Sequence, residues 1–127
     1  MKTEELYSAT ITFNTNRILL VKFKDGVEVD IEELKRLVNV SLELVAGTPF
    51  YLLIDARNIL SSIDHEARDY FSKHKEYNDL NIAQAIVVNN TPIRLLANFY
   101  LRFYKHQNPV KIFNSIENAE SWLFLQD

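Results

Sequence analysis

Three histidines and the carboxylates around them are the first residues in this sequence that could do chemistry. His65 lies between Asp64 and Glu66, while His74 and His106 follow further along the chain. Imidazole and carboxylate groups together can bind a metal ion or exchange protons near neutral pH. His65 and His74 would face opposite sides of a helix, because nine residues correspond to a rotation of about 180°. No HxxxH or HExxH spacing occurs, so the sequence predicts no metal site and no cofactor.

Other catalytic arrangements are also missing from the sequence. The acidic pair Glu32-Glu33 falls at a predicted helix start, where carboxylates favourably meet the helix dipole. There is no GxSxG, P-loop or GxGxxG motif, and the chain has only two glycines. The absence of cysteine excludes thiolate catalysis and cysteine-bound metals. We therefore expect a protein that is not an enzyme.

Polar residues follow two predicted central strands and form the first candidate binding site. Asp55, Arg57 and Asn58 follow one strand, whereas Asn90 and Thr91 follow another and lead into a helix. Ligands of parallel sheets sit beyond the carboxyl ends of the strands, and the first N–H groups of a helix can hold an anion. Alternatively, the aspartate and arginine form an ion pair that fixes a loop, and Thr91 is the N-cap of the helix.

The predicted helix over residues 93–106 is the second candidate. Outside one narrow polar stripe, the surface of this helix is more apolar than a helix packed on a sheet needs. This excess favours either a ligand pocket or a protein interface. In a pocket, Arg94 or Arg102 would bind a polar head group. The alternative is that the last helix and the hairpin cover this surface entirely. The polar stripe contains Arg94, Asn98, Arg102 and Lys105, and the aromatic side chains beside it are Phe99, Tyr100, Phe103 and Tyr104.

The elements that would position these residues form one domain over residues 1–127. Hydrophobic residues make up 47% and charged residues 24% of the chain, as in globular proteins. Alternating and continuous apolar segments predict the order ββαβαβαβα. Strands that alternate with helices favour a mainly parallel sheet, and the opening hairpin adds antiparallel strands. The predicted fold class is therefore α/β with a mixed sheet.

Several local features define the predicted boundaries. The first strand begins at Tyr7, whose side chain shares a face with Ala9, and the first helix begins at an Asp30–Glu33 capping box. Gly47 ends the first helix as its C′ residue. A second helix begins at Asp64, and His74 falls on its buried side. Ser115 caps the last, short helix.

The element order resembles that of STAS and SpoIIAA-like domains, the group that contains the bacterial anti-sigma-factor antagonists. Asp55 ends a predicted strand and Asp64 opens the next helix, about where the antagonists carry Asp-Ser-Ser/Thr-Gly. The resemblance implies a SpoIIAA-like fold over nearly the whole chain. Small bacterial STAS/SEC14-like proteins are similar in Asp55-x-Arg57-Asn58, Glu66-Ala67-Arg68, Asn98-Phe99, Phe113 and Trp122-Leu123.

The sequence departs from the antagonists at their phosphorylation site. Asp64 is followed by His65-Glu66-Ala67 and not by the serine that those proteins phosphorylate. Ser61 and Ser62 lie just upstream, where serine commonly caps or turns the chain. We therefore expect no phosphorylation switch of the usual kind.

Charge and hydropathy restrict the partners and the location. The net charge of −3 argues against general nucleic-acid binding, and no apolar segment is long enough for integral membrane association. The chain starts without the apolar region of a signal peptide, and with no cysteine we expect a cytoplasmic protein. The resemblance implies a non-catalytic regulatory or protein-interaction module with a protein partner or a second copy, as a homodimer. The alternative is a binder of a small lipophilic or amphiphilic ligand, similar to SEC14-type domains.

Overall fold

The computed structural model describes residues 1–57, 63–103 and 106–126, apart from the side chains of Leu96, Phe99, Tyr100 and Phe103. Within these residues the chain forms six strands and five helices. The strands are β1 (Lys2–Glu5), β2 (Ala9–Phe13), β3 (Ile18–Phe23), β4 (Phe50–Asp55), β5 (Asn81–Val87) and β6 (Val110–Phe113). The helices are α1 (Ile31–Val45), α2 (His65–Lys73), α3 (Lys75–Leu80), α4 (Thr91–Phe103) and α5 (Ile116–Leu123).

All six strands belong to one mixed sheet in the order β1-β2-β3-β4-β5-β6. The β1–β2 and β2–β3 pairs are antiparallel, whereas β3–β4, β4–β5 and β5–β6 are parallel. The predicted α/β class, with antiparallel N-terminal strands on a mainly parallel sheet, is confirmed. Each described helix is too short or too polar to cross a membrane.

The beginning of the chain differs from the prediction. Strand β1, which was not predicted, pairs with β2, and all four of its side chains are exposed. The predicted start at Tyr7 is wrong, because its side chain is 71% exposed and the residue precedes β2. A turn in which the Leu6 N–H donates to the Ala9 carbonyl at 2.8 Å separates the two strands.

Helix α1 begins and ends at the predicted residues. Asp30 is the N-cap and accepts from the Glu33 N–H at 2.8 Å. Ala46 and Gly47, with φ of 49° and 80°, end the helix in the left-handed region, which glycine adopts at low cost. The predicted capping box is only half formed, because the Glu33 carboxylate accepts from the Ser8 N–H at 2.9 Å instead. This buried glutamate therefore ties α1 to the turn before β2.

The single helix predicted after Asp64 is two helices. Helix α2 ends at Lys73, and His74 has an extended backbone and caps α3, where its Nδ1 accepts from the Tyr77 N–H at 3.2 Å. The side-chain amide of Asn78 donates to the Ser72 carbonyl at 3.3 Å and so satisfies a carbonyl at the end of α2. His74 is thus an N-cap and not a helix-face residue.

Helices cover both faces of the sheet. Helices α1, α2, α3 and α4 pack on one face against Leu52 of β4 and Ile86 of β5. Helix α5 packs on the other face, where Ala119 and Leu123 are fully buried against the alternate strand residues. We call these two sides the four-helix face and the α5 face.

Candidate functional site

Asp55 and Arg57, predicted at the mouth of the sheet, form a closed ion pair. The guanidinium donates through Nε to Oδ1 and through one terminal nitrogen to Oδ2 of Asp55, both at 2.9 Å. The backbone N–H of Arg57 also donates to Oδ1 at 3.2 Å. Asp55 is 3% exposed, so the pair fixes the end of β4, and both of its carboxylate oxygens are occupied.

The electrostatics of this pair favour a permanent charge on both partners. Burial raises the pKa of Asp55, but hydrogen bonds from Arg57 and the nearby charge of Lys22 outweigh burial and lower it overall. The same hydrogen bonds to Asp55 raise the pKa of Arg57. A carboxylate held in this way is a poor general base, because its proton affinity is reduced.

The structure does not bring the two predicted halves of the sheet-mouth site together. Leu52 and Ile54 of β4 lie on the four-helix face, so the alternation of a strand places Asp55 on the α5 face. Helix α4, which begins at Thr91, packs on the four-helix face through Ile93. The sheet therefore separates the Asp55–Arg57 pair from the start of α4.

Asn90, and not Thr91, caps helix α4. The Oδ1 of Asn90 accepts from the Ile93 N–H at 2.9 Å, and its carbonyl accepts from the Arg94 N–H at 3.0 Å. Thr91 is the first helical residue and is exposed. The prediction of Thr91 as the cap is wrong by one residue, because asparagine competes equally well for this position.

The predicted stripe on α4 is only partly visible. Arg94 is half-buried, Asn98 and Arg102 are exposed, and the apolar Leu95 beside them is 64% exposed. Asn58, Ser61, Ser62, Tyr104 and Lys105 lie outside the described residues, as do the side chains of Phe99, Tyr100 and Phe103.

The four-helix face contains a cavity of about 140 Å³ between the sheet, α1, α2 and α4. Strand residues such as Leu52 and Ile86 form its floor, and helix residues form its walls. Its volume is close to that of a cavity that holds one benzene ring. Its apolar lining includes Val21, Phe23, Leu34, Leu37, Val38, Ile54, Ile63, Phe71, Val88, Ile93 and Ala97.

Three polar side chains in the lining differ in how they are satisfied. The Ser41 hydroxyl donates to the Leu37 carbonyl at 2.7 Å. Gln84 is 4% exposed and lines both this cavity and a smaller, polar pocket beside Asn81. The buried Nε of Arg68 has no partner within the described part of the chain. Buried polar groups are nearly always paired, so this Nε indicates a site that a polar ligand could complete.

The described residues of the lining carry a positive charge and no negative charge. Arg68 is its cation, and no aspartate or glutamate lines the cavity among the described residues. Arg94 and Arg102, which the sequence suggested as anchors for a head group, are not among the described lining residues either. The arginine that contacts the cavity therefore comes from α2 and not from α4.

Sequence reasoning missed both Gln84 and Arg68, although each gave a signal. Gln84 interrupts an otherwise apolar strand, where a polar side chain must face something other than bulk water. Arg68 belongs to the Glu66-Ala67-Arg68 segment that is similar to STAS/SEC14-like proteins.

The histidines form no visible metal site. No group of three histidine or acidic side chains that could hold a metal occurs among the residues with described positions. The Nδ1 of His74 is occupied as an acceptor at the start of α3.

Comparison with known proteins places the chain in a family and a fold. Residues 11–125 match the sequence profile of DUF7793, a domain of unknown function. No curated protein matches the chain. A crystal structure of an uncharacterised DUF3478-family protein with a SpoIIAA-like fold, from Shewanella loihica PV-4, superposes with a TM-score of 0.62 at 17% identity. The match covers 96% of this chain and 90% of that one. The chain therefore belongs to the DUF7793 family and has a SpoIIAA-like fold, as its resemblance to STAS domains implied.

Proposed function

We propose that this protein is a non-catalytic module that binds a small lipophilic or amphiphilic molecule in the cavity of the four-helix face. The observation that carries the proposal is a mainly apolar cavity whose lining includes the buried Gln84 and the Nε of Arg68, which has no partner among the described residues. A cavity that served only as a packing defect would be lined by apolar side chains. A binding pocket combines apolar walls with a few polar groups that orient the ligand.

Ligand binding in this cavity should also stabilise the fold. A molecule that binds the folded chain and not the unfolded chain raises the free energy of unfolding, which links binding to stability.

A protein-interaction module remains the second candidate, and the surface of α4 favours it. Leu95 is 64% exposed beside the exposed Asn98 and Arg102. An apolar side chain next to arginine is typical of interface centres. The homodimer, the cytoplasmic location and the absence of catalysis stay predictions from the sequence.

Native mass spectrometry on protein purified without detergent tests the ligand-binding proposal. We expect an adduct on the native protein that disappears on denaturation. The Ala97→Leu variant extends a larger side chain into the cavity and should abolish the adduct, because Ala97 lines it. Asn98→Leu adds the same side chain at the next, exposed position and should retain it.

A probe of known size covers the case in which the natural ligand is lost during purification. An engineered apolar cavity of about 150 Å³ binds benzene, so benzene and toluene should raise the melting temperature of the wild type and of Asn98→Leu. Ala97→Leu should show no such increase. The proposal is wrong if no adduct appears and neither probe changes the melting temperature, or if Ala97→Leu responds as the wild type does.

A further inference from the structure

We propose that the ligand is a singly charged organic carboxylate with a compact apolar body of about six to ten non-hydrogen atoms. Arg68 and Gln84 would bind the carboxylate, and the remaining lining would surround the apolar body. This inference rests on the proposed function and specifies the class of molecule that the cavity accepts.

The charge of the lining is the first argument. Arg68 is half-buried and lines the cavity, and its buried Nε has no partner within the described residues. An anion in the cavity would give this Nε a charge-assisted hydrogen bond. Because the described lining contains no carboxylate, that anion would come from the ligand.

Gln84 is the second argument. Its amide carries two N–H donors and a carbonyl acceptor, and it is 96% buried on the floor of the same cavity. A carboxylate has two oxygens, so one can accept from the guanidinium while the other accepts from the amide. Binding would then give the Nε of Arg68 a partner and hold the second oxygen at the Gln84 amide.

The size and the number of charges exclude larger anions. A volume of 140 Å³ is close to that of cavities that hold one benzene ring, far below the volume of a two-chain lipid. A phosphate monoester carries nearly two negative charges at neutral pH and needs more donors than one arginine and one amide supply. An aryl carboxylate or a short alkyl carboxylate fits both the volume and the charge.

Matched pairs of probes test this inference by calorimetric or NMR titration at pH 7. Benzoate is compared with benzamide, and hexanoate with hexanamide, because each pair differs mainly in charge. We expect the wild type to bind each carboxylate at least about tenfold more tightly than its amide, as a charge-assisted hydrogen bond in a desolvated site requires. Inorganic phosphate should bind neither the wild type nor the variants.

Substitutions of single arginines identify which one causes the preference for carboxylates over amides. Arg68→Met keeps a long apolar side chain and should reduce the carboxylate-to-amide ratio to about one, with the amide affinity little changed. Arg102→Met removes the same charge at an exposed position outside the cavity and should leave the ratio unchanged. Arg68→Lys keeps the charge and should retain part of the preference, even if Arg68→Met folds poorly.

The possible results separate this inference from the proposed function. If the amides bind the wild type as tightly as the carboxylates, the carboxylate assignment is wrong while ligand binding in the cavity stands. If Arg102→Met lowers the ratio as much as Arg68→Met, the assignment of Arg68 is wrong. If no probe binds and no adduct is found, both proposals are wrong.

Discussion

Replacing Gln84 by leucine should make this protein more stable, although most buried substitutions are destabilising. Gln84 is 4% exposed and lines the mainly apolar cavity, where we expect its amide to have no protein partner. A buried polar group without a partner costs about 1–3 kcal/mol, and leucine has nearly the same shape without that cost. Gln84→Leu should therefore raise the free energy of unfolding by about 1–3 kcal/mol.

Urea and thermal unfolding followed by circular dichroism measure this effect. In a domain of 127 residues, each kcal/mol shifts the melting temperature by about 4 °C, so we expect an increase of about 4–12 °C. Ser41→Ala is the matched control, because Ser41 is also buried in the lining but donates to the Leu37 carbonyl. This control should lose up to about 1 kcal/mol. A Gln84→Leu variant that is less stable than the wild type would refute the reasoning, since the amide must then have a partner.

Three further substitutions test the polar sites outside the cavity. Arg57→Gln should lower the free energy of unfolding, measured in urea, by about 2 kcal/mol. The loss should be smaller than for a fully buried ion pair, because the Arg57 side chain is 39% exposed. No loss would mean that water replaces the guanidinium. Burial raises the pKa of Glu33, but hydrogen bonds from Ser8 and Arg36 outweigh burial and lower the pKa below its usual 4.5. The charged carboxylate therefore stabilises the fold above about pH 4.5, and this stabilisation is lost as the pH falls through the lowered pKa. Glu33→Gln should therefore flatten the decline of the melting temperature as the pH falls below about 4.5, and an unchanged decline would contradict the assignment. Arg102→Glu should weaken any self-association seen by analytical ultracentrifugation and leave the melting temperature within about 1–2 °C, because this side chain is exposed; a monomer at all concentrations would count against the interface.

The order of elements could be predicted because strong local signals mark it. Asp30, Gly47 and Ser115 delimit helices α1 and α5 as expected, since each satisfies backbone groups by a local mechanism. Strand β1 could not be predicted, because it buries no side chain and so shows no alternation. The break at His74 is accompanied by a bond from the Asn78 side chain to the Ser72 carbonyl at the end of α2, a contact that no periodicity reveals.

The candidate site was predictable only in part. The Asp55–Arg57 pair follows from its spacing, whereas its separation from α4 depends on which face of β4 each side chain occupies. The Gln84–Arg68 combination joins a strand to a helix that precedes it in sequence. Neither residue matches a local motif, because the cavity exists only after the helices pack on the sheet.

The exposed strand β1 protects an edge of the sheet but adds little to the stability of the fold. Its side chains contribute nothing to the core, so β1 adds little to the free energy of folding. Yet it occupies the hydrogen-bonding edge of β2, in which Ala9 and Ile11 are fully buried. A free β2 edge would offer its unpaired backbone groups to the sheet of another molecule. Strand β1 covers that edge and presents its own edge instead, which carries the exposed Lys2, Glu4 and Glu5, and charged side chains on an edge strand disfavour pairing with another sheet.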